Sequence, residues 1–192
     1  MTLRNLRIAV RFFCQVVRKG VEEPRGNGCM KTYTGVRFGD IESCEVRPAR
    51  VGEADELARF DVRCFAGQAW PVEEWSEAVA DAAFQTWVVR RCGELLACWV
   101  LLLGRPVSYL ASLAVGPAWR GRGLGGAIMA AVLAQTRRAR SVWLELDVDV
   151  ENRPARALYA RFGFAPLVRF REDDRARLTM VRRFHRPAPG LL

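Results

Sequence analysis

The stretch Tyr109-Leu-Ala-Ser-Leu-Ala-Val-Gly-Pro-Ala-Trp-Arg-Gly-Arg-Gly-Leu-Gly125 decides the fold of this chain. Its first part, up to Val115, is rich in apolar residues and predicts a β-strand. The closely spaced glycines predict a tight turn, and the apolar residues from Ala127 onward predict a helix. In such a strand, turn and helix, several backbone N–H groups converge beside the positive end of the helix. The stretch therefore predicts an anion site suited to phosphate.

Two other classes of glycine-rich loop fit this stretch less well. Gly121-x-Gly123-x-x-Gly126 also satisfies the dinucleotide-binding pattern, in which the first glycine follows the strand almost directly. Here five residues separate Val115 from Gly121, and the 66 residues after Gly126 are predicted to end in two strands rather than in further β-α-β units. A Walker-type nucleotide loop is excluded because the chain contains no Gly-Lys-Ser or Gly-Lys-Thr.

Hydrophobic periodicity on both sides of this stretch predicts one α/β domain with a mixed sheet. The predicted order is β-α-α-β-β-β-α-β-α-β-β. The predicted elements are the strand 44–48, the helix 53–65, a helix after Pro71, the strands 85–91, 95–103 and 109–115, the helix 123–137, the strand 142–148, the helix 154–162, and the strands 164–170 and 177–184.

Three parts are predicted along the chain. Residues 1–43 are predicted to be an N-terminal extension, partly flexible, and the stretch from Gly35 to Asp40 reads as a loop. The extension carries a basic amphipathic pattern with no acidic residue before Glu22, so a surface helix and a membrane-surface or transit-like segment are the other interpretations. Residues 44–186 are the predicted domain, and residues 187–192 a flexible tail.

The composition is that of a globular chain with a strong basic bias. The chain has 192 residues, of which 51% are hydrophobic and 27% charged, enough for one normal core. No apolar run approaches the roughly 20 residues needed to cross a bilayer, so no membrane span is predicted. The net charge of +9 attracts anions in general, and a phosphate-rich cofactor, an acidic substrate and RNA are all compatible with it.

Cysteine and histidine usage bears on metal binding and on the compartment. The six cysteines form no C-x-x-C pair, and the chain has a single histidine, so no metal site is predicted. Scattered cysteines without a recognisable secretory signal are typical of a reducing compartment, and a cytoplasmic location is predicted.

Four short motifs around the glycine turn resemble one known family. Arg120-x-x-Gly123-x-Gly125 is similar to the acetyl-CoA motif of the GNAT N-acetyltransferases, which reads Arg or Gln, two residues, Gly, one residue, then Gly or Ala. Three further features occur in the family's order: Leu113-Ala-Val115 with Pro117, then Asn152 with Ala155 and Ala157, then Leu158-Tyr159 with Gly163-Phe164. The match spans residues 109–164, and the order of the upstream elements also resembles a GNAT.

The resemblance implies an acetyl-CoA-dependent N-acetyltransferase with a GNAT-like acyl-CoA N-acyltransferase fold. It implies that strand-edge groups and Asn152 contact the pantetheine arm of acetyl-CoA, and that Tyr159 is the general acid near the thioester sulfur. A core aromatic is the alternative interpretation of Tyr159. The implied cofactor-binding residues are Leu113, Ala114 and Val115 of the strand, Arg120, Gly121, Arg122, Gly123, Leu124 and Gly125 of the pyrophosphate loop, and Asn152.

Two acids on one predicted strand are candidates for the catalytic base. Glu145 and Asp147 alternate with apolar residues, so both lie on the same face of the strand. Asp147 stands five residues before Asn152, where the family's ribosomal-protein N-terminal alanine acetyltransferases carry a glutamate, and the resemblance implies that Asp147 is the base. Glu145, a water molecule and a merely solvated charged face are the alternatives.

The expected reaction is direct attack of a neutral primary amine on the thioester. The acceptor is either a protein N-terminal α-amine or a small-molecule amine, and Trp70, Glu73 and Trp75 are candidates to line its site, with core packing as the alternative for the tryptophans. Two other functions stay open: a non-catalytic acyl-CoA-binding module, which would not need Tyr159, and a basic RNA-associated protein. No DNA partner is predicted, and the expected oligomeric state is a monomer or a dimer.

Overall fold

A computed structural model describes residues 32–172 and 174–184 as one eight-stranded sheet with helices on both faces. The strands are β1 (Tyr33–Phe38), β2 (Ile41–Pro48), β3 (Phe84–Arg91), β4 (Glu94–Leu102), β5 (Val107–Val115), β6 (Trp143–Asp149), β7 (Ala165–Glu172) and β8 (Arg175–Arg183). The helices are α1 (Ala54–Phe65), α2 (Val72–Ala80), α3 (Leu124–Arg138) and α4 (Arg153–Arg161). None of these helices is long and apolar enough to cross a membrane.

The sheet is mixed, as predicted. Its spatial order is β1-β2-β3-β4-β5-β6-β8-β7, and only the β5–β6 pair is parallel. A parallel pair needs a crossover connection, which α3 supplies here. The structure therefore confirms the α/β class and the order of elements from 44 onward, while the first strand lies outside that prediction.

Two hydrophobic cores lie on opposite faces of the sheet. On one face α1 and α2 pack with side chains such as Leu57, Phe60 and Trp75. On the other face α3 and α4 cover the apolar side of β6, with Ile128 and Tyr159 among the buried residues. β6 alternates as predicted, because its apolar residues are buried on the α3 and α4 side while its acidic residues lie on the other side.

The sheet begins earlier than predicted. The structure has β1 and the start of β2 where an extension and a loop were predicted, so the boundary at residue 44 is wrong and falls inside β2. Ile41 is 1% exposed and belongs to the core beneath α3. β1 is an edge strand with mostly exposed side chains, so it lacks the alternation by which strands are recognised. Residues 1–31, the rest of the predicted extension, and the predicted tail 187–192 lie outside the described residues.

A buried ion-pair network ties the N-terminal end of α1 to β2 and β3. The guanidinium of Arg47 donates to both carboxylate oxygens of Glu53 at 2.6 and 2.7 Å, and Arg90 donates to Glu53 at 2.8 Å and also to Glu56. Hydrogen bonding to Arg47 lowers the pKa of Glu53 to about 2. Removing one partner of such a network leaves an uncompensated buried charge, which is strongly destabilising. The network fixes α1 on the sheet.

The substitution Ile41→Ala tests whether the first hairpin belongs to the core. Removing a fully buried isoleucine leaves a cavity, and we expect the free energy of unfolding in urea to fall by roughly 2–5 kcal/mol. Val51→Ala is the control, because Val51 is 70% exposed and its truncation should change stability by less than about 0.5 kcal/mol. Equal unfolding midpoints for the two variants would show that the core does not depend on residues before 44.

Candidate functional site

The parallel strands β5 and β6 pair over only part of their length. Their Cα pairing ends at Leu110 and Leu146, but β5 continues to Val115 and β6 to Asp149. Beyond that point each strand stays paired with its outer neighbour, β5 with β4 and β6 with β8. The sheet therefore opens between residues 111–115 and residues 147–149, and this opening is called the β5–β6 cleft. The carboxyl ends of parallel strands are the usual place for a ligand in an α/β sheet.

A β-bulge lies where the two strands part. In the pairing of β4 with β5, Leu101 lies opposite Leu110 and Val100 lies opposite Ser112, so Ala111 is an extra residue in β5. A bulge bends its strand and increases the local twist. Because this bulge directly follows the last residue that pairs with β6, it turns the end of β5 away from β6.

The end of β5 directs backbone groups to the cleft, of which the carbonyl of Val115 already accepts a hydrogen bond from Arg120. The N–H of Gly116 donates to a carbonyl of β4 at 2.9 Å. Hydrogen-bonded and non-bonded residues alternate along an antiparallel ladder. Ala114 therefore also bonds to β4, whereas Leu113 and Val115 direct their backbone groups to the opposite edge, which faces the cleft. Of the three strand residues implied to bind the cofactor, Leu113 and Val115 direct their backbone groups to the cleft, and Ala114 does not.

The glycine turn, which begins five residues after the end of β5, is where the anion site was predicted. Gly121 and Gly123 have φ values of +77° and +87°, which only glycine adopts without strain. A Cβ atom added at either position would meet no described atom within 4 Å, so the space in front of the turn is open. α3 starts at Leu124 with no side-chain cap and no acidic residue in its first turn. Its first N–H groups can therefore receive an anion.

The side chain of Arg120 bonds to two backbone carbonyls beside the turn. Its Nε donates to the carbonyl of Val115 at 3.1 Å, and one terminal nitrogen donates to the carbonyl of Cys64 at 2.8 Å. The side chain thus links the end of α1 to the end of β5. In this arrangement the side chain of Arg120 fixes the position of the turn, and backbone N–H groups of residues 121–125 line the open space in front of it.

The hairpin between β1 and β2 supports the same turn. A Cβ atom on Gly39 would lie 2.9 Å from the carbonyl oxygen of Arg122, so the two loops are in close contact. The guanidinium of Arg122 lies 3.4 Å from the carboxylate of Asp40 and 5.2 Å from the ring centroid of Trp119. The hairpin that the sequence did not predict therefore packs against the predicted anion loop.

Asn152 and Gly125 place α4 beside the cleft. The Oδ1 atom of Asn152 accepts the N–H of Ala155 at 3.2 Å and caps the helix. A Cβ atom on Gly125 would lie 3.3 Å from the side chain of Leu158, so glycine allows α3 and α4 to approach each other closely. The first turns of both helices consequently lie near the open ends of β5 and β6.

Tyr159 lies in the core formed by α4 and the sheet. Its side chain is 8% exposed, and its ring centroid is 5.9 Å from that of Phe164. Burial raises the pKa of Tyr159 to about 12, and the positive charge of Arg177 acts in the opposite direction. The phenol is therefore neutral at ordinary pH, and in any proton transfer it can act as a donor.

Asp147 is held by two hydroxyl donors on the sheet face opposite Tyr159. The hydroxyl of Tyr109 donates to one carboxylate oxygen at 2.7 Å, and the hydroxyl of Thr179 donates to the other at 2.6 Å. Burial, then the charge of Asp147, raises the pKa of Tyr109 well above its ordinary value. Burial, with the same carboxylate second, also raises the pKa of the neighbouring Glu145. Glu145 and Asp147 therefore lie together on one face of β6. Asp147 is the more firmly oriented of the two, because it accepts two hydrogen bonds.

A family model classifies the chain. Residues 54–164, more than half of the chain, match the model described as the Acetyltransferase (GNAT) family. The chain belongs to this family. It is 42% identical to a mycothiol acetyltransferase of Nocardiopsis dassonvillei over 62 residues, which are 32% of this chain and 19% of that protein. The matched region thus spans about a fifth of the length of that relative.

Solved structures share the GNAT fold at low sequence identity. The ribosomal-protein-S18-alanine N-acetyltransferase from Escherichia coli has a TM-score of 0.69 and 17% identity, over 78% of this chain and 99% of that chain. The PaiA N-acetyltransferase of Thermoplasma acidophilum, solved in complex with coenzyme A, has a TM-score of 0.62 and 14% identity, over 74% of this chain and 99% of that chain.

The segment between α1 and α2 lies over the acidic side of this GNAT cleft. The side-chain amide of Gln68 donates to Asp149 at 3.2 Å, and Arg175 lies 3.9 Å from the same carboxylate oxygen. The carboxylate of Asp61, which is 2% exposed, accepts the N–H of Trp70 at 2.7 Å and holds the segment in place. Burial raises the pKa of Asp61 to about 6. These contacts define one wall of the space next to Asp147.

Several residues in and around this wall were not predicted from the sequence, or their role was left open. Trp75 is fully buried, so packing is its role, whereas Trp70 is half-buried beside it. Tyr109, Thr179 and Gln68 are polar residues that carry no motif. They come together only because of the register of the sheet and the path of the chain after α1, and no local pattern points to them.

Proposed function

We propose that this GNAT-family chain is an acetyl-CoA-dependent N-acetyltransferase that transfers an acetyl group to a primary amine. The observation that carries the proposal is the position of the β5–β6 cleft, which ends at the anion-binding turn. Acetyl-CoA has an extended arm with a thioester at one end and a pyrophosphate at the other. A slot edged by backbone groups, with a phosphate site beyond its end, fits that shape.

The cofactor is held largely by backbone groups in this proposal. The N–H groups of the turn and of the first residues of α3 receive the pyrophosphate. The backbone groups of Leu113 and the N–H of Val115 bond to the amide groups of the pantetheine arm in the manner of an added strand. Asn152 uses Oδ1 to cap α4, and its Nδ2 keeps two donors with which it can bond to the arm.

The reaction is a direct transfer. The neutral amine forms a bond to the carbonyl carbon, the carbonyl oxygen gains charge beside an N–H at the edge of the cleft, and the carbon–sulfur bond then breaks. Tyr159 gives its proton to the departing thiolate and regains one from solvent. The proton lost by the amine passes to Asp147, directly or through a water molecule. No covalent enzyme intermediate is required.

The acceptor we propose is an α-amine. An α-ammonium has a pKa of roughly 8, whereas that of a lysine side chain is roughly 10.4, so an α-amine is far more readily deprotonated by a carboxylate. The negative charge of Asp147 on this face favours the approach of an ammonium group. The position of Asp147 relative to Asn152 supports the N-terminus of a protein over a small molecule.

An acceptor panel tests this function. Free thiol release from acetyl-CoA is measured with peptides that carry a free N-terminus, with the same peptides blocked at the N-terminus, and with small primary amines. We expect turnover with the free peptides and none with the blocked ones. Turnover with small amines alone would contradict the acceptor class. Binding of acetyl-CoA without any turnover would identify an acyl-CoA-binding module.

The substitution Gly123→Val tests the anion turn. The branched side chain fills the open space in front of the turn, so we expect calorimetry to show acetyl-CoA affinity reduced about 10- to 100-fold, the worth of one or two hydrogen bonds to a charged group. Gly93→Val is the matched control, because Gly93 has a similar φ of +82° and open space around it but lies in the β3–β4 hairpin. Equal affinities of the two folded variants would remove the turn from the site.

The substitution Tyr159→Phe tests the general acid. The ring and its packing are kept and only the hydroxyl is lost, so we expect kcat to fall about 10²- to 10⁴-fold while the affinity for acetyl-CoA is unchanged. Because the pKa of Tyr159 is about 12, its ionisation should not reduce kcat of the wild-type chain between pH 7 and 10. An unchanged kcat, with chemistry shown to limit the rate, would leave Tyr159 as a packing residue.

A further inference from the structure

A second concave surface lies on the far side of α4 from the β5–β6 cleft. It is a groove of about 620 Å³ between α4 and the edge strand β7, and it is called the α4–β7 groove. Its lining is mostly apolar and includes Ala157 and Ala160 of α4, Leu167 and Val168 of β7, and Leu178 and Met180 of β8. No residue of β5 or β6 lines it. The groove is therefore separate from the proposed acetyl-CoA site.

The apolar part of this groove is open to solvent. Leu167 and Val168 are 60% and 51% exposed, and they are among the few large hydrophobic residues on the described surface with so much exposure. They follow Ala165 and Pro166, which are also exposed, so four consecutive apolar residues of one strand lie at the surface. Contiguous exposed apolar surface next to a groove marks a site of interaction.

The rim of the groove is basic. All the charged residues that line it are arginines, namely Arg153, Arg156 and Arg169. Arg156 donates to the carbonyl of Val150 at 2.8 Å, whereas Arg153 and Arg169 are exposed. Within residues 32–172 and 174–184, no carboxylate lies within 4 Å of any of the three guanidinium groups. The rim therefore offers positive charge that the described chain does not neutralise.

We propose that the α4–β7 groove docks an acidic amphipathic segment of a partner protein. The apolar side chains of that segment enter the groove, and its carboxylates pair with Arg153 and Arg169. Addition of a strand to the edge of β7 is disfavoured, because Pro166 lacks an N–H, the pairing of β7 with β8 is irregular between Pro166 and Val168, and Arg169 adds charge to the edge. The segment binds through side chains, as a helix does in a groove.

The basic charge of this chain disfavours a second copy or another segment of the chain as the occupant of the groove. A second copy would bring the same arginines to the interface, and like charges placed opposite each other oppose binding. The terminal segments outside the described residues are no better matched, because residues 1–31 contain seven basic residues against Glu22 and Glu23, and residues 185–192 contain Arg186 and no Asp or Glu. The whole chain carries a net charge of +9, so an acidic partner fits best.

The proposal is tested with two designed peptides and the full-length chain. Both peptides are N-acetylated amphipathic helices of about 18 residues, or five turns, with the same leucine face. One carries glutamate on its polar face and the other lysine, and both carry a fluorophore for anisotropy. We expect the glutamate peptide to bind and the lysine peptide not to bind. Binding should weaken as salt is added, because the contacts on the rim are ionic.

Four variants locate the binding. Leu167→Glu and Arg169→Glu should each reduce the affinity for the glutamate peptide by at least about tenfold, which corresponds to about 1.4 kcal/mol. The matched controls are Val51→Glu and Arg59→Glu, which replace an exposed aliphatic residue and an exposed arginine near and in α1 and should leave the affinity unchanged. Thermal melts establish that all four variants are folded, and a destabilised Leu167→Glu is replaced by Leu167→Ser.

Three results would overturn the proposal. The first is no binding of the glutamate peptide, or equal weakening by the groove variants and the controls. The second is binding of the lysine peptide, or of a short RNA, that depends on Leu167 and Arg169. The third is a dimer in sedimentation velocity that Leu167→Glu dissociates, because the groove would then bind a second copy of the chain.

Discussion

The parting of β5 from β6 beyond Leu110 and Leu146 is the constraint on which the rest of the site depends. Both strands keep their outer neighbours, so the opening lies in the middle of a stable sheet rather than at its edge. The carbonyl of Val115 at this opening is bonded to Arg120, and the backbone groups that have no partner in the chain must be satisfied by water or by a ligand. The cleft is therefore a binding surface that the backbone alone provides, and the bulge at Ala111 fixes where it begins.

A site made of backbone groups explains the part that each side chain takes around it. Gly121 and Gly123 have positive φ values that glycine adopts without strain, and Gly125 allows α4 to pack closely against α3. Arg120 binds two carbonyls and holds the end of β5 to the end of α1, so its charge serves the shape of the site. Tyr159 and Asp147, the proposed acid and base, lie on opposite faces of the sheet.

Local patterns in the sequence were sufficient for the turn, for α3 and for the buried face of β6, because each depends on residues close together in the chain. The strand β1 was missed, since an exposed edge strand has no alternation to detect. Thr179 could not be found, because it meets Asp147 only through the register of β6 with β8. The cleft itself could not be predicted from local patterns, because the apolar pattern of β5 is the same whether or not β6 pairs with it.

The central claim is that acetyl-CoA lies along the open edge of β5, and amide hydrogen exchange measured by NMR tests it most directly. The N–H groups of Leu113 and Val115 face the cleft, whereas that of Ala114 bonds to β4 whether or not a ligand is bound. Saturating acetyl-CoA should therefore slow exchange at Leu113 and Val115 and leave Ala114 little changed. Unchanged exchange at Leu113 and Val115, with acetyl-CoA bound elsewhere on the chain, would contradict the account.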